Sequence, residues 1–420
     1  MSSFWSSISI RRMEANENNR IDKIHLVGTT ENRSNWCALA MTNVKISLPR
    51  WSDYFYRKGS EFSKFWNEYL TSAKRDILFI VAQGFDPRMC EGMDILSKSG
   101  GFGKRDCIVV DFDEGQNTPS RKYEYLIEAN KKRLIDIFPE GEKKHRVVPM
   151  LSQEGKRIGS RNVANIFNEP KDLENYTDIV VDISAMPKAI FFPLLGSVLY
   201  IADALAKQSK KLNIHVIVSE NARIDSLIND QGIADYASYL HGFTGNLGTE
   251  SYSSYPKVWI PILGEKQSRQ LERIYGLVIP DEICPILPMP STNPRRTDDL
   301  IVEYRELIFD RWNVNQKNFI YAAEQNPFGV YREIYKTVLH YNESLKPLGG
   351  CQVAISALSS KLLSIGALLS AYELKYYGLG VGMAHVETRG YEIERSIDLE
   401  IELPNTELFT LWLAGDCYEL

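Results

Sequence analysis

Two stretches of the sequence place serines and a lysine where an apolar strand turns into an apolar helix. One is Val181-Asp182-Ile183-Ser184-Ala185-Met186-Pro187-Lys188, and the other is Val353-Ala354-Ile355-Ser356-Ala357-Leu358-Ser359-Ser360-Lys361. The free backbone N–H groups and dipole at a helix start favour an anion there, and a lysine adds a full charge. Ser184, Lys188, Ser356, Ser359, Ser360 and Lys361 are therefore candidates to hold phosphate. Serine at a helix start also works as a plain cap, so it is the repetition of the device that favours a ligand. Asp182 has Ala354 as its sequence counterpart, and two chemically unequal sites are expected.

Other strand ends carry polar groups of the same kind. In Gln83-Gly84-Phe85-Asp86-Pro87-Arg88, Gly84 permits a sharp turn and Pro87 ends the ladder. Asp86 could bind a ribose hydroxyl or act as a base, and Arg88 could fork onto phosphate or carboxylate. The same two residues could equally pair with each other, or Asp86 could cap the following helix. Asp111 and Asp113 close the next strand, where an acid can bind ribose, join Asp86 in acid–base work, or hold magnesium. No third metal ligand is evident, so no metal is expected. Glu220, Asn221 and Arg223 follow a later strand, with Glu387 and Arg389 as counterparts. These can read a base edge or sugar, or simply form salt bridges.

Several chemistries are absent from the pattern. The six histidines (His25, His145, His215, His241, His340, His385) are scattered, and the six cysteines show no CxxC pair. No phosphate loop of the GxGxxG or Walker kind and no GxSxG elbow occurs. The spacing Gly242-xx-Gly245-xx-Gly248 reads as a flexible connector, or as a lid draped over a ligand.

The elements that must position these groups alternate between strand and helix. Apolar runs at Ile77–Ala82, Cys107–Asp111, Arg146–Leu151, Asp178–Ile183 and Ile214–Val218 predict strands, with helices at Lys122–Phe138 and Ala189–Ala206 between them. The order returns at Val258–Leu263, Ile283–Leu287, Asn318–Ala323, Gln352–Ile355 and Leu379–Ala384. Its helices are Gln267–Tyr275, Asp298–Trp312, Gly329–Tyr341 and Lys361–Lys375. The reading is an α/β chain of two tandem Rossmann-like, doubly wound, mostly parallel sheets related by internal duplication. Its divisions are an N-terminal appendage at 1–73, a first unit at 74–240, a linker at 241–256 and a second unit at 257–420. The appendage would hold strands Ile24–Gly28 and Trp36–Met41 and a helix from Ser60 to Ala73. Alternation over Ser396–Glu402 predicts a C-terminal edge strand.

Composition narrows the class. A net charge of −5 speaks against broad capture of duplex nucleic acid or an anionic membrane, though not against a pocket for one small anion. The longest apolar run, Ala189–Leu205, contains Pro193 and Asp203 and falls short of a clean membrane span. With unpaired cysteines and no signal-peptide pattern, a cytoplasmic location is expected.

The segment Val181–Lys188 resembles the ligand-binding turn of the CRISPR-associated Rossmann-fold (CARF/SAVED-like) nucleotide sensors, with Ala185-Met186 where that family usually has Gly-Gly. The resemblance covers the general plan of residues 74–400. It implies a cyclic oligonucleotide held across the joint of the two units, a separate effector protein as partner, and a role in antiphage signalling. Ser184, Lys188, Ser359 and Lys361 would hold phosphates, while Asp86, Arg88, Glu220 and Glu387 would select sugar or base. The alternatives are a nucleotide-processing hydrolase or transferase using Asp86 with Asp111 or Asp113, and a scaffold subunit of a multiprotein complex.

Overall fold

A computed structural model of the chain describes residues 48–115, 118–138, 141–247, 254–394 and 399–418. The chain divides into two units, Met1–Phe55 and Tyr56–Leu420. Of the first unit, residues 48–55 are described; they include a turn in which Ser52 N–H donates to Pro49 O at 2.9 Å. The strands expected at Ile24–Gly28 and Trp36–Met41 lie outside the described residues.

The second unit is mixed α/β with two mostly parallel sheets. Strands β1 (Ile77–Gln83), β2 (Arg105–Asp113), β3 (Lys143–Pro149), β4 (Asp178–Asp182) and β5 (Asn213–Glu220) form the first, in the order β5-β4-β1-β2-β3. Val, Ile and Phe fill β1 and β4 on both faces, as a sheet covered by helices on both sides requires. The second sheet holds β6 (Lys257–Ile262), β7 (Glu282–Ile283 and Ile286–Pro288), β8 (Ile320–Ala322), β9 (Gln352–Ala357) and β10 (Val381–His385). Its order is β8-β7-β6-β9-β10, so both sheets follow the 3-2-1-4-5 arrangement of Rossmann-like sheets. Pro285 supplies no N–H and breaks β7, which the sequence pattern reads as continuous.

Each sheet takes in an antiparallel strand from beyond the other half. β11 (Glu407–Ala414) pairs with β5 of the first sheet, and Ser238–Tyr239 pairs with β10 of the second. The segments just after β5 and β10, Ile228–Asp230 and Tyr391–Ile393, pair with each other in a two-stranded ribbon. The C-terminal strand therefore lies later than expected, and it joins the first sheet beside β5 as an inner strand and not as its edge. At Leu399–Glu402 the chain forms a helical turn instead; the apolar run Leu408-Phe409-Thr410-Leu411-Trp412-Leu413 is the better buried strand.

Helices cover the sheets. Helix α1 (Ser60–Ser72) is part of the core, because its Trp66 and Phe65 pack on His215 and Trp412 at ring separations of 5.0 and 6.2 Å. Helix α2 (Lys188–Ala206) is the most apolar; it is long enough to cross a membrane, yet most of it is buried within the protein. Helices α3 (Pro327–Ser344) and α4 (Lys361–Tyr376) pack face to face at Gly366, where an added Cβ would sit 2.2 Å from Pro327 O. The described start of the segment expected as a linker, residues 241–247, is docked: Phe243 and Leu247 are buried, and Phe243 O accepts from Met383 N at 2.7 Å.

Candidate functional site

In sheets of this order ligands bind beyond the carboxyl ends of the strands, beside the first and fourth, where the order reverses. Here those ends are the turns after β1 and β4 in the first sheet and after β6 and β9 in the second. Both pairs open into one cavity of about 400 Å³. Gly84 follows β1, and Gly264 follows β6 as its counterpart. A Cβ on Gly264 would lie 2.3 Å from Leu358 O, so only glycine lets the two turns of the second sheet approach.

With Gly84 and Gly264 as anchors, ladder register corrects one sequence pairing. Asp182 lies opposite Val81, and Ser356 opposite Pro261, so the counterpart of Asp182 is Ser356 and not Ala354. The two positions are still chemically unequal. Asp182 Oδ1 accepts from Ser184 N at 2.8 Å, and burial pushes its carboxyl up to about 7. Ser356 Oγ accepts from Trp259 Nε1 at 2.9 Å.

The two lysines cross between the halves. Lys188 Nζ, at the start of α2, donates to Ala357 O at 2.8 Å and to Ser359 O at 2.6 Å in the other turn. Lys361 Nζ, at the start of α4, donates to Ser184 O in return. Both side chains line the cavity. No carboxylate among the described residues forms an ion pair with either ammonium. Burial, together with the charge of Lys361, pushes Lys188 down to about 8; burial and Arg88 also lower Lys361.

The remaining expected residues divide sharply. Gly84, Asp86, Arg88, Asp111 and Glu387 line the cavity with the two lysines. Asp86 and Arg88 are committed to one another: Arg88 Nη2 donates to Asp86 Oδ2 at 2.7 Å and Arg88 Nε to Asp86 Oδ1 at 3.0 Å. Arg88 N–H also donates to Asp86 Oδ1 at 3.0 Å, so Asp86 both pairs and caps. Burial alone would raise the Asp86 carboxyl, but the guanidinium beside it holds it below the usual carboxylate value. Asp111 is raised by burial. Asp113 is exposed, accepts from Gly115 N at 3.0 Å, and does not reach the cavity.

The serines take structural parts. Ser184 is fully buried against Ser219 at 3.0 Å, and Ser360 caps α4 by accepting from Leu363 N at 3.3 Å. Neither they nor Ser356 and Ser359 line the cavity. Glu220 accepts from Leu362 N at 3.1 Å, so the protein's own carboxylate already occupies the anion position at the start of α4. Arg223 lies on the surface beside Glu402 at 3.4 Å.

Several lining residues had no local signal in the sequence. Arg157 reaches Glu387 at 3.1 Å, Asp225 pairs Arg88 at 2.8 Å, and Gln270 donates to Asp230 at 3.3 Å. Burial, with Lys188 and Arg157 nearby, pushes His385 down to about 3, so it stands in the wall as a neutral ring. Gly242 and Gly245 do not line the cavity, and Gly248 lies outside the described residues. Among the described residues no group of three or more His, Cys, Asp or Glu side chains is placed to hold a metal.

The fold and site define a class: a mixed α/β chain whose two mostly parallel sheets turn their strand ends toward a shared cavity. No protein-family model matches the chain, and no curated protein matches it.

Proposed function

We propose that this chain is a nucleotide sensor of duplicated Rossmann-like plan, holding a nucleotide or small cyclic oligonucleotide between its halves and signalling occupancy to a separate effector protein. The observation that supports it most is that both repeated turns deliver their lysine to one cavity. That cavity sits where sheets of this strand order take ligands. The matching strand orders and the reciprocally exchanged antiparallel strands support the duplication. Apolar side chains at Phe112, Ile127, Met150 and Val386 offer surface to a base, and the lysines offer charge to a phosphate.

The enzyme alternative draws less support, because the Asp86 carboxylate is taken up by Arg88, and of its two candidate partners Asp111 lines the cavity while Asp113 does not. The test is thermal and denaturant unfolding of the full chain with a panel of nucleotides and cyclic nucleotides. A ligand at a hundredfold excess over its dissociation constant adds about 2.7 kcal/mol of stability, and Lys361→Met abolishes that gain. No stabilisation by any member of the panel would leave the scaffold alternative standing.

A further inference from the structure

The charges around the cavity limit what it accepts. Four cations and six carboxylates line it. Arg88 is matched by Asp86 at 2.7 Å and Asp225 at 2.8 Å, and Arg157 by Glu387 at 3.1 Å. What remains for a ligand is the pair Lys188 and Lys361, whose present partners are the neutral carbonyls of Ala357, Ser359 and Ser184. The rest of the charged wall is Asp111, Glu114 and Asp230, which repel a further negative charge.

Resting on the nucleotide reading above, we infer that the ligand carries a single phosphate group, seated between Lys188 and Lys361, and that ligands with three or more phosphates are rejected. One phosphate brings one or two negative charges, which two ammonium groups neutralise. Each additional phosphate would sit against a carboxylate, or unpaired in a partly dry wall, and burying an unpaired charge is costly. The size agrees, since about 400 Å³ lies low in the roughly 300–1,000 Å³ range of small-molecule sites. The start of α2 adds to the same spot: Pro187, Lys188 and Ala189 line the cavity and no side chain caps that helix. The neutral polar groups Gln267, Gln270 and His385, on the second-sheet wall, suit a neutral part of the ligand such as a base.

The experiment is calorimetric titration of the full chain with probes graded by phosphate number. Cyclic mononucleotides and nucleoside monophosphates carry one, cyclic dinucleotides two, cyclic triadenylate and ATP three; inorganic phosphate completes the set. The tightest single-phosphate nucleotide is expected to bind at least about tenfold more tightly than any probe with three phosphates, a gap of about 1.4 kcal/mol. A probe with two or three phosphates binding most tightly overturns the inference and leaves the nucleotide reading intact. Inorganic phosphate binding with no nucleotide doing so overturns the nucleotide reading and keeps the one-phosphate site. Silence from every probe removes both.

Discussion

Lys188→Met isolates what it means to hold an ammonium in this cavity. Methionine keeps much of the stem but cannot donate to Ala357 O or Ser359 O, and it carries no charge. In the folded chain Lys188 is pushed from 10.5 down to about 8 by burial and by Lys361, against the opposing pull of Asp230, Glu220 and Asp225. Between those two values the unfolded chain keeps a proton that the folded chain has released. Raising the pH through that window therefore favours folding. The difference corresponds to at most about 3 kcal/mol, the upper figure because the side chain keeps part of its surface open to the cavity. At neutral pH the lost hydrogen bonds and the relieved burial oppose each other, so absolute stability is a poor readout. The informative quantity is the gap between the two proteins as pH changes. Urea unfolding followed by tryptophan fluorescence, in steps from about pH 7 to about pH 10.5, should show the wild type gaining up to about 3 kcal/mol on Lys188→Met. Other titrating groups cancel in the difference. Stability curves that stay parallel within about 0.5 kcal/mol would show that Lys188 titrates as an ordinary lysine, and the picture of a strained ammonium pair would be wrong.

Two further substitutions test the frame around the cavity. Arg88→Met leaves the buried Asp86 carboxylate unpaired and should cost about 3–5 kcal/mol, most of it recovered when Asp86→Asn is added; equal losses in the single and double variants would refute the coupling. Gly366→Ala forces a methyl to within 2.2 Å of Pro327 O and 2.7 Å of Val330 Cβ, and should cost about 1–3 kcal/mol in denaturant unfolding. Gly276→Ala is its control, with nothing within 4 Å of the new Cβ, and should be neutral or stabilising by up to about 1 kcal/mol.

Local chemistry made much of this fold legible. Ile77-Leu78-Phe79-Ile80-Val81-Ala82 could only be a strand buried on both faces, and the structure makes it β1. The repeated lysine turns were legible for the same reason, as short patterns with a local cause. What the lysines touch was not, because Lys188 and Ser359 are far apart in sequence and meet only once both sheets exist. The same holds for Arg157 beside Glu387 and for Asp225 beside Arg88, whose pairing no spacing rule anticipates. At Ser396–Glu402 an alternating pattern suggested a strand, whereas β11, apolar but for Glu407 and Thr410 and buried over Leu408–Ala414, is the segment that pairs with β5. Register failed where turns differ in length: matching Ser184 to Ser356 shifted Asp182 onto Ala354, and only the ladders place it opposite Val81 and so against Ser356.

The contacts that hold the two halves together differ in what a ligand can do to them. The exchanged strands β11 and Ser238–Tyr239 do not line the cavity, so a small molecule in it does not touch them. The buried contact of Tyr372 with Asp203, at 2.7 Å between α4 and α2, is equally remote from it. The reciprocal lysine bonds are different, because the same ammonium groups that bridge the turns also form the cavity wall. A phosphate drawn to them competes with the carbonyls of Ala357, Ser359 and Ser184 for the same donors. Any gain the phosphate makes is then offset by whatever bridging it displaces, so occupancy and the joint between the turns are linked through one set of atoms. The exchanged strands keep the halves from separating, while Ile228, Asp230 and Tyr391 of the ribbon line the cavity beside the turns. On the sensor reading, the turns at Ser184 and Ser359 are therefore where a bound ligand would first alter the structure that an effector reads.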